Sequence, residues 1–402
     1  METFELTIDE LAYEGFGVGR HQNMVVFVPY SAPGDRIEVT PVKRKKRFIE
    51  ARIVKIIEPS RLRTSPECPY FGDCGGCQWR HVRYDAQLKA KASQVSSLLE
   101  RFAGVVVPDI EVQASPVTSN YRIRARFHAS LQGLGFQRLN SHEAVPLSFC
   151  PSCSERLNEL LRYARGIPEF SRVSQVQAVD GDIQLLVNLS ARPSTALFEL
   201  ARRIKKDLGA VVFVNNRPTS PKRYVSIKLP FGPPVRYSPG MFIQTNPHIN
   251  QLIVLYVLSL IPRSSRILEL YAGVGNFTCG LAEVTRITAV EGSRASCGEL
   301  KRRCKGRSAE VVCGPARRAL EGMDRKFDAI LVDPPRKGLE EEVVSWINQS
   351  DADTLCYVSC NPATLARDIK RLAEAGWSLE SIKGFDMFPY TYHVETVSVL
   401  KR

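Results

Sequence analysis

No apolar run in this chain is long enough to cross a bilayer, which takes about 20 consecutive apolar residues as a helix. Its opening, Met1-Glu2-Thr3-Phe4-Glu5-Leu6-Thr7-Ile8, lacks the basic stretch and apolar segment of a secretory leader. These absences exclude a helical membrane protein and lead to the expectation of a cytoplasmic protein with no membrane partner. Internal repeats and low-complexity segments are also missing, so neither a solenoid nor a disordered tail is expected. Acidic residues are the scarcer charge: 42 Asp and Glu stand against 55 Lys and Arg, a formal net charge of +13. That surplus sets no fold, but it favours a polyanionic partner through counterion release. Part of it lies in Lys43-Arg44-Lys45-Lys46-Arg47, a run that on its own reads as a solvated hairpin tip.

At 402 residues the chain exceeds one ordinary domain. Residues 1–58 read as short strands rich in β-branched and aromatic residues (Phe4–Ile8, Val25–Val28, Arg36–Val42, Phe48–Ile57), divided by turns such as Pro33-Gly34-Asp35. A five-stranded barrel of the oligonucleotide-binding kind fits. Residues 59–230 follow as an α+β middle domain. It opens with a cysteine cluster and a helix from about Tyr84 to Arg101 striped by Leu88, Val95, Leu98 and Leu99. Pro230, Pro233, Pro234 and Pro239 mark a boundary. From 231 to 402 strands alternate with helices, which predicts a mostly parallel, doubly wound sheet. The whole is a multidomain α/β protein.

The clearest cofactor signal is Leu268-Glu269-Leu270-Tyr271-Ala272-Gly273-Val274-Gly275-Asn276-Phe277, at the end of one strand and the start of a helix. Glycines there let backbone approach a ligand beyond the strand's carboxyl end. The next strand ends at Glu291, where an acid can bond ribose hydroxyls. Thr278 stands where a dinucleotide site would carry its third glycine, so S-adenosylmethionine (SAM), which has no phosphate, fits better than a nicotinamide cofactor.

A buried strand then ends in Val332-Asp333-Pro334-Pro335-Arg336, whose prolines forbid strand continuation and hold the acid at the sheet's edge. A later strand ends in Val358-Ser359-Cys360-Asn361-Pro362. Asn361 is a good N-cap and Pro362 a good first helical residue, so Cys360 is expected at a helix start whose dipole favours a thiolate. A lone cysteine is ordinarily buried and inert; the neighbouring glycine loop and Asp333 argue otherwise.

Eleven cysteines are present, and disulfides are not expected in a cytosolic chain. Cys279, Cys297, Cys304, Cys313 and Cys356 read as scattered small apolar residues. Cys68, Cys74 and Cys77 have the spacing C-x5-C-x2-C, with Cys150 or Cys153 available as a fourth thiolate for zinc or an iron–sulfur cluster.

The segments Asp333-Pro334-Pro335-Arg336-Lys337-Gly338, Ser359-Cys360-Asn361-Pro362-Ala363-Thr364-Leu365-Ala366-Arg367-Asp368 and Phe388-Pro389-Tyr390-Thr391-Tyr392-His393-Val394-Glu395 resemble the signature stretches of the RNA 5-methyluridine methyltransferases. Phe242-Ile243-Gln244-Thr245-Asn246 and the glycine loop match as well. The resemblance implies a TRAM-like RNA-binding barrel, a central domain with a [4Fe–4S] cluster on Cys68, Cys74, Cys77 and Cys150, and a Rossmann-like SAM-dependent methyltransferase domain. It implies Cys360 as nucleophile and Glu395 as the base, with Gln244, Tyr271, Glu291 and Asp333 lining the SAM and uracil pockets and Asn276 an added contact. It also implies an RNA substrate, ribosomal RNA before transfer RNA. The chemistry needs such a pair: a thiolate adding at carbon 6 of uracil makes carbon 5 nucleophilic, and a base must then remove the carbon 5 proton. One departure stands out. The family usually offers Asp or Asn near the adenine after the fourth strand of this region, whereas this chain has Val312-Cys313-Gly314-Pro315-Ala316. A noncatalytic RNA-binding protein with a metal staple would explain barrel, charge and cysteines, but not the joint presence of glycine loop, Asp333, Cys360 and Glu395.

Overall fold

The computed structural model describes residues 3–262 and 266–402. The N-terminal strands β1 (Phe4–Thr7), β2 (Glu10–Leu11), β3 (Gly17–His21), β4 (Met24–Val28), β5 (Arg36–Arg44) and β6 (Phe48–Glu58) form one sheet in the order β1-β5-β6-β4-β3-β2. It has six strands where a five-stranded barrel is predicted, and β2 and β3 lie outside the four segments read as strands. Alternation along the strands turns Leu6, Val26, Val28, Ile37, Val39 and Ile49 into a common core. The sheet curls until Asp9 N donates to Val18 O at 2.7 Å. The basic run Lys43–Arg47 is the exposed tip of the β5–β6 hairpin, spanning the end of β5 and the turn, as its composition suggests.

Helix α1 (Tyr84–Ala103) and strand β7 (Val112–Gln113) come next. The middle sheet follows, made of β8 (Arg124–Ser130), β9 (Gly133–Gln137), β10 (Ala144–Pro146), β11 (Val173–Asp180), β12 (Leu185–Ala191), β13 (Val211–Val214) and β14 (Arg217–Pro218). Its order is β10-β9-β8-β11-β12-β13-β14. Helices α2 (Glu155–Ala164) and α3 (Thr195–Leu208) cover one face, burying Leu157, Leu160, Leu161, Leu200 and Ile204 against Phe127, Val176, Val187 and Val212. A hairpin of β15 (Val225–Ile227) and β16 (Val235–Tyr237) precedes α4 (Pro247–Leu260).

The C-terminal layer contains β17 (Arg266–Leu270), α5 (Thr278–Leu281), β18 (Arg286–Glu291), α6 (Arg294–Arg303), β19 (Ala309–Cys313), α7 (Ala316–Leu320), β20 (Ala329–Val332), α8 (Glu341–Asn348), β21 (Thr354–Ser359), α9 (Pro362–Ala373), β22 (Ser378–Phe385) and β23 (Glu395–Lys401). The sheet order is β19-β18-β17-β20-β21-β23-β22-β7, parallel except for antiparallel β23. Chain order runs outward in both directions from β17 and β20. The crevice at their carboxyl ends is therefore the switch point at which such sheets bind ligands. Two pieces from before the middle sheet belong spatially to this layer: β7 pairs with β22, and α1 packs on α9. Among the described residues no helix is long and apolar enough to cross a membrane.

Candidate active site

At that switch point lies a cavity of about 600 Å³, and Gln244, Tyr271, Asn276, Glu291, Asp333, Cys360 and Glu395 all line it. The loop after β17 turns through Tyr271 (φ 64°), Gly273 (φ 59°) and Gly275 (φ 86°). A Cβ on Gly275 would meet Leu300 Cδ1 at 2.7 Å, so glycine is needed there both for its conformation and for its size. Glu291 closes this loop: one carboxylate oxygen accepts from Gly273 N at 2.8 Å and the other from Ser293 N at 2.5 Å. Asn276 exchanges two amide hydrogen bonds with Asn250, at 2.8 and 2.9 Å. Beneath the loop the buried Arg303 donates to Val274 O (2.6 Å), Gly275 O (2.9 Å) and Phe231 O (2.5 Å). Nothing in the charged stretch around it marks this arginine out in the sequence.

The reacting half of the cavity is built from neighbouring strand ends. Asp333 follows β20, and Cys360 follows β21. Asn361 caps α9, its side-chain oxygen accepting from Ala363 N at 3.1 Å. Glu395 opens β23 and is 4% exposed. Since Ser359 pairs with Thr396, one further step along the register brings position 360 opposite 395. Loss of water raises both acids: Asp333 to about 7, and Glu395 to about 8 with a contribution from Asp333. Burial, then the charges of Glu395 and Asp333, pushes the Cys360 thiol up to about 12 against the opposing pull of Arg336. This corrects the expectation that a helix start would favour a thiolate: desolvation and two carboxylates outweigh the dipole.

Three further side chains in this cavity escaped the sequence reading of individual roles. Phe242 is exposed at the mouth, with the Arg124 guanidinium 4.8 Å from its ring centre. Arg336 and Phe388 line this cavity and a second one of about 720 Å³.

The second cavity is lined by Cys68, Cys74, Cys77 and Cys150, while Cys153 is buried behind it. Asn158 fixes the Cys150 turn, accepting from Cys150 N at 2.8 Å and donating to the carbonyls of Cys150 and Cys153. Arg80 is 6% exposed; one of its terminal nitrogens donates to Ser152 Oγ at 2.7 Å, and its Nε is buried without a partner. Among the described residues no group of three or more His, Cys, Asp or Glu side chains could hold a single metal ion as placed.

The scattered cysteines need one correction. Cys297 and Cys313 are joined as a disulfide, with their Cα atoms 5.8 Å apart, and Cys313 is exposed rather than buried. The crossover from β18 through α6 to β19 brings together two residues that sequence separation hides. Cys279, Cys304 and Cys356 are buried as read.

A family model described as tRNA (Uracil-5-)-methyltransferase matches residues 317–402, and one described as tRNA (uracil(54)-C(5))-methyltransferase, TRAM domain, matches residues 4–62. The chain is 32% identical to the 23S rRNA (uracil(1939)-C(5))-methyltransferase RlmD of Alkalilimnicola ehrlichii, covering 100% of this chain and 97% of that one. It is 31% identical to the protein of the same name from Photorhabdus laumondii, covering 99% and 96%. In structure it resembles the Pyrococcus abyssi tRNA (uracil-54, C5)-methyltransferase bound to S-adenosyl-L-homocysteine, with a TM-score of 0.77 and 26% identity over 98% of this chain and 99% of that one. Full-length identity to curated relatives, the matched barrel and the matched catalytic segment together mean that this chain belongs to the RNA uracil-C5 methyltransferase family.

Proposed function

We propose that the protein transfers a methyl group from SAM to carbon 5 of a uridine in 23S ribosomal RNA through a covalent bond between Cys360 and carbon 6. The observation that carries this reading is the convergence of the glycine loop, Glu291, Asp333, Cys360 and Glu395 on one cavity. SAM supplies the electrophilic methyl group. Gln244, Tyr271, Asn276, Glu291 and Asp333 hold the donor and the uracil ring. Cys360 gives its proton to water, and the thiolate adds to carbon 6 and pushes electrons toward carbon 5, which takes the methyl as its bond to the SAM sulfur breaks. Glu395 removes the carbon 5 proton; the pair left behind restores the ring double bond and expels the Cys360 thiolate. A raised carboxylate pKa suits that task, because a base works best when its pKa lies near the working pH. The target uridine must leave its stack to reach Cys360.

Cys68, Cys74, Cys77 and Cys150 are proposed to hold a [4Fe–4S] cluster. Four cysteines line one cavity, which suits a group with four thiolate ligands, and the unpartnered Arg80 Nε suits a neighbouring anion. Such a group would staple the 68–77 loop to the Cys150 turn; methyl transfer itself calls for no electron transfer.

Ribosomal RNA is preferred over transfer RNA because the full-length relatives named for 23S RNA show the higher identity. The test is a map of 5-methyluridine across total RNA from cells with and without the gene. Loss of one ribosomal mark supports the reading; loss confined to the transfer RNA T-loop overturns the target and keeps the chemistry.

A further inference from the structure

The middle sheet has one face covered by α2 and α3 and another that is open along β8. Residues alternate across a strand, so Ala125 and Phe127 point into the helical side while Arg124, Arg126 and His128 share the opposite face with Arg122 just before them. Cross-strand register adds Gln177 beside Arg126 and Gln175 beside His128. Arg124 lines the catalytic cavity; Arg122, Arg126 and His128 line the cysteine cavity. One strand thus carries positive charge from one cavity to the other.

Several arginines of the same domain are paired: Arg138 with Asp73 and Glu143, Arg156 with Asp180, Arg203 with Glu169. Among the described residues neither Arg122, Arg124 nor Arg126 forms an ion pair with a carboxylate. Arg122 has another explanation, since it lies between the rings of Phe136 (5.8 Å) and Phe388 (5.7 Å) against the sulfur-lined cavity. Arg124 is stacked on Phe242 and held near the Tyr237 hydroxyl. Arg126 is exposed and has neither use. Alternate residues on a strand are about 7 Å apart, a spacing comparable to that of successive phosphates in an extended single strand. Glu14, on the far rim of the cysteine cavity, is the nearby carboxylate that would repel such a backbone, and Asp73 is already occupied by Arg138.

We propose that β8 is a phosphate track: the RNA strand flanking the flipped uridine runs along the open sheet face, with successive phosphates on Arg124 and Arg126 and the amides of Gln175 and Gln177 as added donors. The proposal rests on the methyltransferase reading, because it takes Phe242 and Cys360 to mark where the uridine enters. It separates two jobs that the overall charge cannot. The barrel adds a general grip on RNA, whereas this strand fixes the register of the chain leaving the active site.

The test compares Arg126→Ala with Arg202→Ala, the latter an exposed arginine on α3 at the opposite side of the same sheet. Each full-length protein is titrated with oligouridine over a series of salt concentrations. Arg126→Ala is expected to weaken RNA binding about tenfold at low salt and to lower the slope of log K against log salt by roughly 0.7, the value for one single-strand phosphate contact. SAM affinity is expected to stay at its original value, and Arg202→Ala is expected to match the parent. Equal affinity and slope for the Arg126 variant and the parent would overturn the track, as would an equal loss in the Arg202 variant. A parent protein that traps 5-fluorouridine RNA while Arg126→Ala shows no change sinks the track alone. A changed slope without any adduct sinks the catalytic reading and leaves the track standing.

Discussion

Tyr13, in the barrel, donates its hydroxyl hydrogen to Asn361 Oδ1 at 3.2 Å, on the residue directly after Cys360. The same ring packs edge-on against Tyr392 with centroids 5.5 Å apart. An RNA-binding module and a catalytic helix cap, separated by 348 positions in the chain, therefore share a hydrogen bond at the active-site rim.

Replacing Cys360 with Ala is predicted to abolish methyl transfer, with a loss of at least about 10⁴-fold as for other covalent nucleophiles, while SAM affinity changes less than twofold. Isothermal titration with SAM and incorporation of labelled methyl into RNA measure the two. Turnover by Cys360→Ala would remove the nucleophile assignment.

Glu395→Gln is predicted to stop the cycle after methyl transfer, since carbon 5 keeps its proton and the Cys360 bond cannot be released. A protein–RNA adduct should then accumulate on denaturing gels with ordinary RNA, as it should for the parent with 5-fluorouridine RNA. For the parent, kcat should rise with pH up to about 8 as Glu395 ionises. A flat profile from pH 6 to 9 contradicts that role.

The same carboxyl group links pH to stability. Its folded pKa, about 8, lies above its ordinary value of 4.5, so the folded state holds the proton more tightly than the unfolded state. Its contribution is therefore favourable at low pH and is lost as pH rises through that window. Glu395→Gln should be more stable than the parent at pH 9, by on the order of 2–5 kcal/mol, and the gap should close toward pH 4.5. Chemical denaturation at several pH values tests it; a gap that widens in acid would contradict the sign.

Lys91 and Asp386 form an ion pair at 2.5 Å with both side chains 0% exposed, and Tyr84 also donates to Asp386, at 2.7 Å. Lys91→Met leaves a buried carboxylate without its cation and should cost about 3–5 kcal/mol. The double variant Lys91→Met with Asp386→Leu should recover most of that. Thermal unfolding of the two variants decides the matter.

Losing Cys74 should bleach a brown, anaerobically purified protein and lower its iron and sulfide content, with SAM binding retained. Iron and zinc analysis of the parent is the control, and a colourless zinc protein would contradict the cluster.

The catalytic layer was legible in sequence because its signals are local. A strand, a glycine turn and an acid at the next strand's end are written in consecutive residues, as are the Asp333-Pro334-Pro335 stop and the Asn361-Pro362 helix start. Helix α4 passed unread because Ile249, Leu252, Ile253, Val254, Val257 and Leu258 leave little polar face to show a period. Strands β9 and β10 are only five and three residues long, too short to show a period of two. Cys297 with Cys313, Arg303 with the glycine-loop carbonyls, and Tyr13 with Asn361 were hidden for another reason. Each depends on which segments the fold brings together, and no local pattern carries that information. The Cys360 thiol was misjudged because burial, and then the acids beside it, push its pKa up, and neither is visible in its place before α9.

The pairing of β7 with β22 and the packing of α1 on α9 make the methyltransferase sheet a mosaic of distant chain segments. A cassette beginning at residue 231 would leave behind an edge strand and a covering helix, exposing apolar surface and unpaired backbone. Transplanting this catalytic unit onto another RNA-binding module therefore requires carrying residues 84–113 along with it, and inheritance of the unit by simple end-to-end fusion is closed for the same reason.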